Sequence, residues 1–391
     1  MLNASPNSPP IIPARIGDAG GTARVHIDGH TGLRGIAAMV VVLGHMRLNE
    51  WFPGDLTDLL GRFVSWEGEA VDLFFMLSGF ILYHNYPPRE RVSWADYALA
   101  RFARIYPLFL LCLVLCVALD AYTYLLFGVA KDNLDPSKIL INVLLLNGLF
   151  ANAPRASINP TSWSVSIEAI LYCTAFPLLS LLVKNWRAAA RLGPVLLIGG
   201  LTALLTLLYL PSAAGGGGGG AGSSYHYLLR GVLAFSIGFF IRLTLDANPA
   251  PPRRAGSAVL GAVSVLGVAV VLFFRLPRAL LMPCFAVLVY ATATNDTPLA
   301  GFLKRPVFRF LGTRSYSIYL IHYPVLLLLY RCVLFPSRYQ AGFTTAAKLV
   351  TFPGLLIATL FLAEFSYTHF ESPVRRYLRV RFKRPAPAGP T

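Results

Sequence analysis

The sequence predicts an all-α polytopic membrane protein with about ten transmembrane helices and one additional re-entrant or interfacial segment. Of its 391 residues, 55% are hydrophobic and only 13% are charged, whereas about a quarter of the residues in ordinary soluble domains are charged. The mean hydropathy is +0.59, and the apolar residues form long runs with few charges, as membrane-spanning helices do. This composition excludes a disordered chain, a collagen-like chain and a small disulfide scaffold.

Ten apolar runs are long enough to predict membrane spans. They lie at residues 33–48, 69–85, 102–128, 163–183, 194–210, 226–243, 257–274, 278–294, 315–335 and 346–368. An eleventh apolar run, 139–151, is shorter than the ~20 residues that a helix needs to cross a bilayer. We therefore predict that this run is re-entrant or interfacial.

The basic residues predict the orientation of these helices. If 139–151 does not cross, 23 Lys+Arg fall on one side of the membrane and eight on the other. Cytoplasmic loops carry the excess of Lys and Arg, so we expect ten crossings with both termini cytoplasmic. The predicted domains are a disordered cytoplasmic tail (1–32), a transmembrane domain (33–370) and a basic cytoplasmic tail (371–391).

In a soluble protein, the net charge of +16 would indicate nucleic-acid binding. The basic residues are scattered over membrane-proximal loops, which favours topology over nucleic-acid binding. The five cysteines lie in apolar runs without metal-ligand spacing, so no metal site is predicted. The run Gly215–Gly220 lacks the Lys-Ser/Thr of a phosphate loop and is interpreted as a flexible linker.

The predicted spans contain few ionisable residues, and each is a candidate for function. These residues are His45, Asp72, Asp120, Glu168, Arg230, His322 and Glu364. The topology places His45, Asp72 and Glu168 in the outer half of the membrane, the last in a segment with Ser164 and Ser166. A neutral imidazole can deprotonate a hydroxyl near pH 7, and a carboxylate can orient it. The alternative is a histidine that pairs with a neighbour and fixes helix packing.

A second group of candidates lies at the cytoplasmic side. Arg101 and Arg104 are three residues apart and therefore share one helical face, at the same level as Arg34. Guanidinium groups match the geometry of phosphate oxygens, although cytoplasmic arginines also follow from the positive-inside rule. Tyr319 and His322, likewise three residues apart, complete this candidate binding group. For the arginines after residue 374, the positive-inside rule is the preferred interpretation.

Six motifs in chain order resemble the integral-membrane acyltransferase-3 family, whose members include enzymes that acetylate O-antigen or exopolysaccharide. They are GLRGIAAMVVVLGH (32–45), VDLFFMLSGFIL (71–82), RFARIYP (101–107), TSWSVSIEAILY (161–172), YSIYLIHYP (316–324) and FESPVRRYL (370–378). The matches run from residue 32 to about 380. The chain departs from the family pattern at Ala169, where a second acid is common.

The resemblance implies transfer of an acyl group, acetyl by default, from cytoplasmic acyl-CoA to a hydroxyl of an extracytoplasmic or lipid-linked glycan. It makes His45 catalytic, includes Arg34 in the signature, and assigns Arg101 and Arg104 to binding of CoA. Together with the placement of the residues, it leads to the hypothesis that Arg34 also binds CoA and that Asp72 or Glu168 orients His45. It implies a multi-pass protein of the bacterial cytoplasmic (inner) membrane. Acetyl-CoA or another acyl-CoA is then a co-substrate, and no permanently bound cofactor is expected.

Several alternatives stay open on the sequence alone. A secondary transporter or exporter of a glycan or small molecule also explains ten spans and intramembrane acids, although we find no internal repeat typical of transporters. For an acyltransferase, the acceptor could be O-antigen, exopolysaccharide, peptidoglycan, a lipo-oligosaccharide or a macrolide-type small molecule. Transfer could be direct or pass through an acyl-histidine.

Overall fold

The computed structural model describes residues 26–46, 55–90, 92–128, 131–150, 152–184, 192–209, 225–247, 254–293, 297–329 and 345–382, and within these ranges all regular structure is helical. The α-helices are α1 Asp28–His45, α2 Asp55–Val64, α3 Glu67–Asn85, α4 Trp94–Phe127, α5 Pro136–Val143, α6 Ala153–Ala156, α7 Trp163–Cys173, α8 Ala175–Val183, α9 Leu192–Tyr209, α10 His226–Ala247, α11 Arg254–Phe273, α12 Leu281–Ala291, α13 Pro298–Leu303, α14 Pro306–Thr313, α15 Ser315–Leu328, α16 Thr345–Ser366 and α17 Ser372–Phe382.

Helices occupy all ten positions at which spans are predicted, but the count of ten crossings is not confirmed. Five helical segments within the described ranges are long and apolar enough to cross a membrane: Trp94–Phe127, Pro160–Val183, His226–Ala247, Ala255–Phe273 and Thr351–Phe382. Of the other predicted spans, α1 and α3 carry the polar candidate residues and lie largely buried inside the bundle. Helices that are shielded from lipid by their neighbours need not be uniformly apolar.

Three boundaries differ from the prediction. Helix α1 begins at Asp28, inside the segment predicted as a disordered tail; residues 1–25 of that tail and Gly215–Gly220 lie outside the described residues. Helix α4 begins at Trp94, where Ser93 caps the first turn by accepting from the Asp96 N–H. Arg101 and Arg104 therefore lie two to three turns inside a helix rather than at its start. At the other end, helical structure continues past the predicted end of the last span at residue 368, and residues 372–382 of the predicted basic tail form α17.

The short apolar run 139–151 does not form a continuous helix. It is divided between α5, which ends at Val143, and a single 3₁₀ turn over Asn147–Leu149. Leu145, between the two, adopts a positive φ of 55°, which a helix does not tolerate. The segment is thus too broken to cross a bilayer as one helix.

Helices α3 and α10 approach each other closely, and glycines make this approach possible. A Cβ on Gly238 would lie 1.8 Å from the carbonyl oxygen of Met76, and one on Gly79 would lie 2.0 Å from that of Phe235. No other residue fits at such separations, so the two backbones are in direct contact at two levels. This pair frames one side of the polar interior described next.

Candidate functional site

A small cavity between α1, α3, α4, α7 and α15 collects the arginines predicted from the sequence. Its polar lining consists of Arg34, Ser78, Arg101, Arg104, Glu168, Tyr172 and Tyr316. We call this set the arginine cavity. Arg34, Arg101 and Arg104 come from two helices that are separated in sequence, and the structure brings all three to one place.

Two of these guanidinium groups are incompletely satisfied. The Nε atoms of Arg34 and Arg101 are buried, and no hydrogen-bond partner for them is found among the described residues. Arg101 is held instead by aromatic faces, since its guanidinium carbon lies 5.6 Å from the ring centres of both Tyr86 and Tyr172. Buried donors without acceptors cost free energy, so this cavity is suited to an anionic ligand that supplies acceptor oxygens.

Arg104 is oriented by an acid that the sequence analysis missed. Its Nη1 donates to Glu371, and its guanidinium lies 5.1 Å from the ring centre of Tyr316. Glu371 is 3% exposed and also accepts from Ser317 Oγ at 2.6 Å. Because Glu371 is 267 residues from Arg104, only the FESPVRRYL motif marked it in the sequence.

Glu168 lines the arginine cavity rather than accompanying His45. Its Oε1 accepts hydrogen bonds from Ser78 Oγ, at 2.7 Å, and from the hydroxyl of Tyr172. Helix α7 runs toward the arginines, and the four residues from Ser164 to Glu168 advance it by one turn of about 6 Å. The structure thus brings Glu168 to the arginine cavity, and among the described residues no hydrogen bond joins it to His45.

Asp72 is also engaged elsewhere. It is fully buried, 3.0 Å from Nη2 of Arg230, and accepts a hydrogen bond from Tyr209. Arg230 Nη2 donates in addition to the carbonyl oxygen of Gly68 at 2.9 Å. Among the described residues, no hydrogen bond joins Asp72 to His45, so the expected His–Asp pair is not formed.

The remaining intramembrane acids also have structural partners. Asp120 accepts from the Asn133 side chain at 2.8 Å. Glu364 accepts from Nη2 of Arg314 at 2.9 Å. Neither acid lines the arginine cavity.

His45 lies beside a second histidine, and we call the two the histidine pair. The ring centres of His45 and His322 are 5.2 Å apart. His45 Nδ1 lies 2.9 Å from the carbonyl oxygen of Val41, and His322 Nδ1 lies 3.2 Å from that of Ile318. A carbonyl only accepts, so in the neutral rings both Nδ1 atoms carry the hydrogen and both Nε2 atoms keep a lone pair.

The two rings of the pair differ in their surroundings. His45 is exposed, whereas His322 is fully buried with an Nε2 that has no partner. His45 Nε2 is thus the basic atom that a substrate can reach. His322, predicted as part of the cytoplasmic binding group, belongs instead to this second site.

A carboxylate lies over Gly44, the residue that precedes His45 in α1, and it belongs to Glu67. A Cβ built on Gly44 would be 1.7 Å from Oε2 of Glu67, which places the carboxylate over the residue preceding His45. The sequence analysis missed Glu67 because it belongs to an acidic segment between two predicted spans, and no pattern separates it from its exposed neighbours. The structure distinguishes Glu67 from the acids that precede it in this segment, because Glu67 is the first residue of α3.

Tyr319 connects the histidine pair with α7. Its hydroxyl is 2.7 Å from Ser164 Oγ and 3.0 Å from the carbonyl oxygen of Thr161. Its ring centre is 6.1 Å from that of His322. Tyr319 therefore lies nearer the histidine pair than its predicted place with the cytoplasmic arginines implied.

The arginine cavity and the histidine pair occupy two ends of one seam between α1 and α15. Arg34 and His45 are eleven residues apart in α1, which is three turns plus about 20°, so both lie on one face about 16 Å apart. Along α15, Tyr316 lines the arginine cavity and His322 contacts His45. One end of the seam can bind an anion, and the other offers a basic nitrogen.

A buried basic cavity joined by one helical seam to an imidazole base is an arrangement suited to group transfer within a membrane. The chain belongs to the acyltransferase-3 family, because the family model for an acyltransferase domain matches residues 27–364. The sequence-based recognition of this family is thereby confirmed.

Curated relatives extend the comparison. The chain is 26% identical to Acyltransferase MdmB of Streptomyces mycarofaciens, over 94% of this chain and 95% of that protein. It is 24% identical to the peptidoglycan O-acetyltransferase OatA of Listeria monocytogenes and 24% identical to the O-acetyltransferase OatA of Staphylococcus aureus, each over 90% of this chain. It spans 56% and 57% of the length of those two proteins. No solved structure matches the chain.

Proposed function

We propose that this protein is a membrane O-acyltransferase that moves an acyl group, acetyl by default, from cytoplasmic acyl-CoA to a hydroxyl of an extracytoplasmic or lipid-linked glycan. The observation that carries the proposal is the seam, with the arginine cavity at one end and His45 at the other. Family membership supports acyl transfer, and the names of the OatA relatives favour a glycan hydroxyl as the acceptor.

The arginines would hold the phosphates of the donor. Arg34 and Arg101 present buried donors without acceptors, and phosphate oxygens would supply those acceptors in the fork geometry that guanidinium prefers. The cavity measures about 30 Å³, room for one or two waters, so the phosphates would enter with movement of the surrounding side chains. The pantetheine arm would then extend along the seam toward His45.

At the histidine pair, His45 Nε2 would act as the general base. It takes the proton of the acceptor hydroxyl while the hydroxyl oxygen attacks the thioester carbonyl carbon. The carbon–sulfur bond then breaks, and the CoA thiolate leaves and takes up the proton from the imidazolium. Glu67, next to His45, would stabilise the imidazolium during the reaction.

The proposal is tested with membranes that contain the full chain, incubated with radiolabelled acetyl-CoA and a bacterial glycan extract. We expect label on the glycan and release of free CoA. His45→Ala should abolish both while the protein still accumulates in the membrane, because the exposed ring contributes little to packing. Undiminished labelling by His45→Ala would contradict the role of the base, and absence of CoA release from the wild type would contradict the proposed donor.

A further inference from the structure

Helix α17 directs two further arginines toward the arginine cavity. Arg375 Nη1 lies 3.7 Å from Oε1 of Glu371, the same oxygen that accepts from Arg104. Arg379 is half-buried, and its charge interacts with that of Arg101. Within the part of the chain that the structure describes, its Nε has no hydrogen-bond partner. Arg375 and Arg379 are four residues apart and therefore share the face of α17 that packs against α4.

This placement is not what the positive-inside rule alone requires. Arginines that serve only to fix topology can project into water, as the exposed Arg376 of α17 does. Arg375 keeps only 26% of its side chain exposed, although its neighbours include other cations. Like charges at short distance repel one another, so an anion bound among these arginines would stabilise the arrangement.

The charge balance supports the same conclusion. Five arginines, those of the cavity with Arg375 and Arg379, face two carboxylates, Glu168 and Glu371. Three positive charges are left in excess. A ligand with several phosphate groups would neutralise them and satisfy the unpartnered Nε atoms.

A π-helical segment places Glu371 beside the arginine cavity. Residues Tyr367–Glu371, between α16 and α17, form one wide π turn. Such turns are rare and are frequent at functional sites. The turn leaves Glu371 buried between α4 and α15, where it contacts Arg104 and Ser317.

We propose that Arg375 and Arg379 are binding residues for the phosphate groups of acyl-CoA, and that α17 thereby completes the donor site. This inference rests on the proposed function. It adds α17 to a site that the sequence assigned to residues of α1, α4 and α15. It also replaces the earlier interpretation that the arginines after residue 374 serve only topology.

The test measures binding of CoA to the full chain purified in detergent. The variants are Arg375→Gln, Arg379→Gln and the double variant, and the matched control is Arg376→Gln on the exposed face. Each single variant should raise the Kd for CoA about tenfold or more, as expected for a lost charge-assisted contact. The control should bind like the wild type. Arg375→Lys, which keeps the charge and loses the fork, should fall between the two.

The outcomes separate this inference from the proposed function. If the wild type does not bind CoA, the proposed donor is wrong and the inference falls with it. If the wild type binds CoA and Arg34→Gln weakens it, while the double α17 variant binds like Arg376→Gln, then only the inference is overturned. Each variant must elute at the wild-type position in gel filtration. If the double variant does not, the comparison of Arg379→Gln with Arg379→Lys decides.

Discussion

Substitution of Asp72 tests whether this buried acid acts in catalysis or in folding. The structure pairs it with Arg230, and the two side chains are 0% and 5% exposed. Asp72→Asn keeps the shape but leaves Arg230 as a buried cation without its counter-ion. Breaking a buried pair on one side costs about 3–5 kcal/mol. For a chain of this size that corresponds to a fall in Tm of about 4–6 °C.

The assay is thermal unfolding of the detergent-purified protein, together with acyl transfer in membranes. Asp58→Asn is the matched control, because Asp58 pairs with Arg62 and Arg275 on an exposed surface and such pairs contribute little. The double variant Asp72→Leu with Arg230→Met removes both charges and should recover most of the lost Tm. It should also recover acyl transfer. A double variant that is as stable as the wild type yet inactive would refute a purely structural role of Asp72 and would indicate that Asp72 acts in catalysis.

Two further predictions address the histidine pair and the bundle. Glu67→Gln should lower kcat for acyl transfer by about tenfold or more without changing the Kd for CoA, because the carboxylate lies over Gly44, the residue before His45, and does not line the arginine cavity. An unchanged kcat would exclude this role. Gly238→Ala should sharply reduce the amount of folded protein in membranes, since its Cβ would lie 1.8 Å from a backbone oxygen of α3; Gly256→Ala, with open space around it, is the control.

The sequence predicted the helical positions well because long apolar runs are a strong signal, and the arginine cavity because a three-residue spacing fixes a helical face. It failed where a contact depends on how helices pack against one another. Asp72 and Glu168 were grouped with His45 by depth alone, and depth does not specify which face of a helix points at which neighbour.

The partners that replace them come from remote parts of the chain. Arg230 is 158 residues from Asp72, and Glu371 is 267 residues from Arg104. No local sequence pattern predicts such remote ion pairs. Glu67 was missed for a related reason, since its exposure depends on where α3 begins.

The glycine contacts between α3 and α10 bear on the mechanics of the protein. The backbones of these two helices are in contact at Gly79 and Gly238. Sliding or rocking of one helix against the other would push main-chain atoms into each other or break this packing. A carrier that exposes its cargo alternately to the two sides needs such relative motion between the helices that frame its interior. We therefore expect α3 and α10 to move as one unit, so that any opening of the seam comes from displacement of α1 or α15, the helices that form it.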